Sequence, residues 1–204
     1  MEKNDNDIVL ILKNAGTSCN IGCEYCAEAR KKQVKVSDIA TVTLDDIQKL
    51  IEITGSVENL NVLFHGGEPL VMGIDYYERI INMWRDARED VYFGIQTNAT
   101  LIDSEWVEFF EKYKEVLGIS VSLDGDLQAN SYRVDKTGEQ TFSKVIKALE
   151  LLKDKDLQTG LISTLTQAAK GREKELFEIV RQFSNIRFLK LNPCYDMWNN
   201  GDIP

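Results

Sequence analysis

Residues 60–69 read Leu60-Asn61-Val62-Leu63-Phe64-His65-Gly66-Gly67-Glu68-Pro69. The first five form a short strand, and the paired glycines and Pro69 end it in a turn. A helical pattern follows over 75–88 and a further strand over 91–96. The same unit recurs in both directions. Upstream, residues 8–12 are a short apolar run that leads into a loop holding Gly16, Cys19 and Gly22. Thr43, with Asp46 three residues on, then opens a helix that reaches about residue 54. Downstream, Asp103 caps a helix to about residue 113, and a strand over 117–123 ends in Asp124-Gly125. Helices over 141–152 and 172–183 alternate with strands over 160–165 and 186–191, the last closed by Pro193. Six strands alternating with helices specify an α/β fold, a parallel sheet with helices outside, its strands apolar on both faces. A doubly wound open sheet and a curved partial barrel both satisfy this pattern.

The sharpest chemical signal lies after the first strand, in Cys19-Asn-Ile-Gly-Cys23-Glu-Tyr-Cys26. Thiolates are soft ligands suited to iron–sulfur clusters and to zinc. A structural zinc site takes four ligands, and no fourth Cys or His is near in sequence. Of the chain's 4 cysteines only Cys194 lies elsewhere, and its alternatives are a buried apolar residue or a group near substrate. His65, the only histidine, could complete a zinc site only through the fold. Three ligands leave one iron of a cubane open to a small molecule. A zinc site, a disulfide or three incidental cysteines remain the alternatives for these residues alone.

Composition argues against other classes. The net charge of −9 argues against a nucleic-acid partner, because phosphate binding needs clustered Lys and Arg. No apolar run approaches the roughly 20 residues of a membrane helix, and residues 1–7 are too polar for a signal peptide. A cytoplasmic location is expected, in keeping with clustered thiols that are not spread as a disulfide framework. At 204 residues the chain suffices for one well-buried core.

The cysteine loop, with Tyr25 before its third cysteine, resembles the radical S-adenosylmethionine (SAM) superfamily. Gly66-Gly67-Glu68-Pro69 resembles that family's GGEP motif, and Gln96-Thr-Asn-Ala-Thr-Leu-Ile102 resembles its QTNGTLL stretch. Ser122-Leu-Asp-Gly125 resembles its SxDG, with Arg133 where that group carries an arginine. The resemblance is nearest to peptide-modifying enzymes with a SPASM or Twitch domain, the sulfatase-maturating and ribosomal-peptide maturase group.

It implies a (β/α)6 partial TIM barrel over residues 1–204, the radical SAM core without a C-terminal auxiliary domain. It implies a [4Fe–4S] cluster on Cys19, Cys23 and Cys26, with SAM on the fourth iron. Gly66, Gly67 and Glu68 would meet the SAM amino group. Ser122 and Asn98 would bond the ribose or carboxylate end, Arg133 would pair with the carboxylate, and Tyr25 would lie by the adenine. His65, at the end of its strand, is expected at the barrel mouth, as the residue that touches substrate. The implied activity is reductive cleavage of SAM to a 5′-deoxyadenosyl radical and hydrogen abstraction from a precursor peptide or protein. The electron would come from a donor such as flavodoxin or ferredoxin. An enzyme acting on a small metabolite, or a cluster-binding subunit inactive without a further domain, are the other readings. Two departures stand out. Ala99 replaces the glycine of QTNG, and the further cysteines of auxiliary clusters are absent, which places them on a longer polypeptide or a partner.

Overall fold

A computed structural model of the chain describes residues 7–28 and 41–195; the polar ends at 1–6 and 199–204 lie outside those residues. Six strands, β1 (Asp7–Leu12), β2 (Asn59–Phe64), β3 (Val91–Thr97), β4 (Leu117–Ser122), β5 (Thr159–Leu165) and β6 (Ile186–Pro193), pair in that order, every pair parallel. Between successive strands lie α1 (Leu44–Ile53), α2 (Ile74–Ala87), α3 (Ser104–Tyr113), α4 (Phe142–Asp154) and α5 (Glu173–Gln182). The sheet curls into a half-barrel, a partial TIM barrel, and this decides between the two architectures that periodicity leaves open. No helix among the described residues is long and apolar enough to cross a membrane.

The helices start where the sequence says they do. Thr43 Oγ1 accepts from the Asp46 amide at 3.2 Å while Asp46 Oδ2 accepts from the Thr43 amide at 3.0 Å, a reciprocal capping box. Asp103 accepts from the amides of Glu105 and Trp106 and so caps α3. Replacing Thr43 by Ala leaves amides of the first turn of α1 without their acceptor. It is expected to cost about 1 kcal/mol, read as a lower urea midpoint for the iron-free chain.

The expectation that the strands are apolar on both faces is not met. In β2 and β3 buried residues alternate with more exposed ones. Leu60, Val62, Phe64, Phe93, Ile95, Ile119 and Val121 share one face and pack on Ile80, Trp84, Trp106 and Phe110 of the helices. Burying one such side chain contributes about 1.5–3 kcal/mol, so this layer is the main source of stability. The opposite face carries small and polar residues in register: Gly94 beside Gly118, and Gln96 beside Ser120. A half-barrel has helices on its convex side only, so its concave side is free to be small, polar and hollow. Pro193 also differs from expectation. It pairs with Leu165 as the last residue of β6 and does not stand beyond the strand. An edge strand tolerates a proline there, because the missing N–H is on no central ladder.

Candidate functional site

The three cysteines sit on a loop that is fastened to two other segments. Gly16, at φ +57°, closes a turn onto Lys13, and the Ser18 carbonyl accepts from the Glu68 amide at 2.7 Å. Further on, Gly22 N–H donates to Val134 O at 2.8 Å and Glu24 N–H to Tyr132 O at 3.0 Å. The first contact ties the loop to the turn after β2, and the others tie it to the segment that carries Arg133. Asn14, at the loop's start, donates to the Tyr77 hydroxyl, which donates to Pro69 O at 2.8 Å. Both the loop and the double-glycine turn are thereby anchored on α2.

Gly66 and Gly67 have φ of +78° and +50°, backbone that glycine adopts without steric cost. At Gly67 the neighbouring backbone is also too close for a side chain: an added Cβ would lie 2.1 Å from Ser18 O. Glu68 follows, 1% exposed. Its Oε1 accepts from Leu70 N at 3.0 Å and from Thr97 Oγ1 at 2.7 Å, and its Oε2 accepts from Asn98 N at 2.7 Å. Burial raises its pKa, and the three donors oppose that rise. One carboxylate thus joins the turn after β2 to the end of β3, and Oε2 keeps an acceptor position.

Asn98 donates through Nδ2 to Asn20 Oδ1 at 2.9 Å, with the Cys19 sulfur at 3.7 Å from the same nitrogen. Ala99 next to it adopts φ +61°, so the residue that replaces the expected glycine keeps the glycine's left-handed backbone.

On the far side Asp124, at the end of β4, is 1% exposed and shared by three segments. Oδ1 accepts from Thr164 N of β5 at 2.8 Å, and Oδ2 accepts from the Tyr25 hydroxyl at 2.5 Å. Arg133 Nε forms an ion pair with that same Oδ2 at 3.0 Å. The guanidinium lies over the Tyr25 ring, 5.5 Å from its centroid, and its Nη1 is 3.9 Å from the Cys23 sulfur. Burial alone would lower the Arg133 pKa, but Asp124 more than reverses this, and the group stays charged. Burial pushes the Cys23 thiol up to about 11, with Arg133 opposing, and raises Cys19 as well. Free thiols at Cys19 and Cys23 therefore stay protonated at neutral pH unless a metal takes the proton's place.

The residues assigned from the sequence to the cluster and to SAM, together with His65, border one cavity of about 240 Å³ at the C-terminal ends of the strands. Cys19, Cys23, Cys26 and Tyr25 form one wall. His65, Gly66, Gly67, Glu68, Asn98, Ser122 and Arg133 lie around the rest, with Gln96, Thr97 and Thr164 among them. His65 is half-buried, and burial, then Lys13, hold its pKa below the usual imidazole range. Cys194 does not border this cavity. It lines a second one of about 360 Å³ beside Leu165, Leu176 and Leu191. Sequence reading passed over Thr97 and Thr164, and it gave Asp124 no partner. Two of the Asp124 contacts come from 99 and 40 residues away, and no local signal carries them.

The family model of the Radical SAM superfamily matches residues 14–169, and the chain belongs to that superfamily. The cysteine-type anaerobic sulfatase-maturating enzyme of Clostridium novyi is 25% identical over 198 residues, covering 94% of this chain and 52% of that protein. The serine-type enzyme of Bacteroides thetaiotaomicron is 34% identical over 153 residues, 72% of this chain and 36% of that one. The structure of anSMEcpe with bound AdoMet superposes with a TM-score of 0.83 at 25% identity, over 93% of this chain and 52% of that one. SuiB of Streptococcus suis, bound to its precursor peptide SuiA, shares the fold at a TM-score of 0.66 and 18% identity, over 93% of this chain and 40% of that one. The chain spans about half the length of the curated relatives it matches first.

Members of this superfamily use a [4Fe–4S] cluster and SAM. The residues present fit that pair. The three thiols form no disulfide and together border a small hollow of about 40 Å³ beside Gly67. Among the described residues no three His, Cys, Asp or Glu side chains converge as they would around a single metal ion. N–H groups of Asn98 and Arg133 face two of the sulfurs, the kind of contact that stabilises ligated thiolate.

Proposed function

We propose that this chain is the catalytic core of a peptide-modifying radical SAM enzyme. In it Cys19, Cys23 and Cys26 hold one [4Fe–4S] cluster, and the remaining cavity takes SAM. The carrying observation is the convergence of the cysteine loop, the double-glycine turn and the ends of β3 and β4 on one hollow. When bound, the cluster supplies the electron that splits SAM into methionine and a 5′-deoxyadenosyl radical, which takes a hydrogen atom from the substrate.

The chain's own residues orient and enclose. Gly66 and Gly67 let backbone approach the SAM amino group, and Glu68 Oε2 accepts from its ammonium. Arg133 meets the SAM carboxylate with the edge that Asp124 leaves free, where a planar fork suits a carboxylate. Asn98 and Ser122 bond the ribose or carboxylate end, and Tyr25 flanks the adenine. His65 enters the hollow from the end of β2, neutral and half-buried, and meets the substrate. Sulfatase-maturating relatives of both the cysteine and the serine type support a peptide side chain as that substrate. A small flavoprotein or ferredoxin serves as electron donor.

The test is anaerobic turnover under dithionite, with 5′-deoxyadenosine as the readout. A cluster-loaded chain that makes none is no enzyme core. His65→Ala is expected to leave this uncoupled cleavage intact and to reduce modification of synthetic Cys- or Ser-containing peptides at least tenfold. A parallel fall in both would move His65 from the substrate to the SAM side of the cavity.

A further inference from the structure

We propose that Asp124 is a positioning residue that balances the buried charge of Arg133 beside Cys23 and thereby sets the reduction potential of the cluster. The inference rests on the reading of the cavity given above. Its basis is geometric. The Asp124 side chain is 0% exposed and that of Arg133 is 9% exposed, so neither charge is screened by water. Their contact is 3.0 Å, and the same guanidinium reaches to 3.9 Å from the Cys23 sulfur. A cation held there alone would favour the reduced, more negative cluster strongly, because charges interact most in a dry interior. The carboxylate paired with it at 3.0 Å opposes that field.

Asp124 is also held in place. Thr164 N and the Tyr25 hydroxyl occupy its oxygens at 2.8 and 2.5 Å. Asn130 Oδ1 accepts from the backbone amide of Asp124 at 3.1 Å. The charge is therefore fixed relative to the cysteine loop, since Tyr25 belongs to that loop. A residue needed only to fasten the loop would not have to be charged, because the Tyr25 hydroxyl and the Thr164 amide can bond any oxygen acceptor.

The experiment is an EPR-monitored redox titration of the anaerobically reconstituted full chain, with iron content measured in each sample. Asp124→Asn leaves the cation unbalanced and is expected to shift the midpoint potential positive. Arg133→Gln leaves the anion unbalanced and shifts it negative. Asp124→Asn combined with Arg133→Gln restores neutrality and returns the potential to the wild-type value. This double variant also removes the risk that one buried unpaired charge prevents folding. Single variants that load iron yet titrate like wild type, or that both shift the same way, overturn the proposal. So does a double variant that fails to regain the wild-type cluster or potential. If wild type itself takes up no iron, the reading of the cavity fails first and this inference falls with it.

Discussion

Reconstituted without oxygen, the chain is expected to carry about four irons, one cubane's worth. Replacing any one of Cys19, Cys23 or Cys26 by Ala is expected to abolish or severely deplete that iron, while Cys194→Ala leaves it in place. The distinction follows from position. The first three border a common hollow, and Cys194 lines a different cavity against Leu165 and Leu191. The chain has 4 cysteines in all, so no second cluster can be built from what the first leaves over. SAM is expected to change the EPR spectrum of the reduced cluster, because the fourth iron has no protein thiolate. Stoichiometric zinc with no iron uptake on reconstitution rejects the cluster assignment. About eight irons would require ligands that this chain does not possess.

The sequence shows the elements of this fold well, because each rests on a local signal. The capping box at Thr43 and the cap at Asp103 are legible as letters, and both form as read. What it does not show is the second face of the sheet. Leu63, Gly94 and Gly118 become neighbours only through parallel register, and a run such as Val91-Tyr-Phe-Gly-Ile95 looks apolar throughout although Tyr92 is exposed. The site divides along the same line. Cysteine spacing and the paired glycines are contiguous motifs and can be read. The clasp of Glu68 on Thr97 and Asn98 joins residues from different strands, and the ion pair of Asp124 with Arg133 closes the long connection between β4 and α4 on itself. A motif can place those residues at one end of the barrel but cannot say which of them hold one another. The consequence is sharpest for Arg133, which the motif assigns to SAM and the structure already pairs with Asp124 through one edge of its fork.

Gly67→Ala is expected to strip the protein of its cluster, and the reason is close approach more than backbone strain. Strain alone is tolerated here: Ala99 keeps its Cβ at φ +61° and is 1% exposed. A left-handed alanine costs about 1–2 kcal/mol, which a folded domain of ordinary stability of about 5–15 kcal/mol survives. At Gly67 the added Cβ would meet Ser18 O at 2.1 Å, Ser18 C at 3.0 Å and Gly16 O at 3.1 Å. All three are backbone atoms, so no rotamer change relieves the clash. The Ser18 carbonyl is also the one that accepts from Glu68 N. Making room means parting the cysteine loop from the turn that positions Glu68, and Cys19 is the residue next to Ser18. Gly73→Ala is the control. Its φ is +81°, but nothing lies within 4 Å of an added Cβ, so it bears the strain without the clash. With ψ of 160° as well, Gly73 occupies extended positive-φ backbone, and Gly73→Ala is expected to lower the thermal midpoint of the iron-free chain by an amount equivalent to about 1–3 kcal/mol and to load iron like wild type. Gly67→Ala is expected to add about 1–3 kcal/mol of overpacking to its own positive-φ strain and to lose most of its iron. If Gly67→Ala binds iron and SAM as well as Gly73→Ala does, the contact between the double-glycine turn and the cysteine loop does not hold the site together.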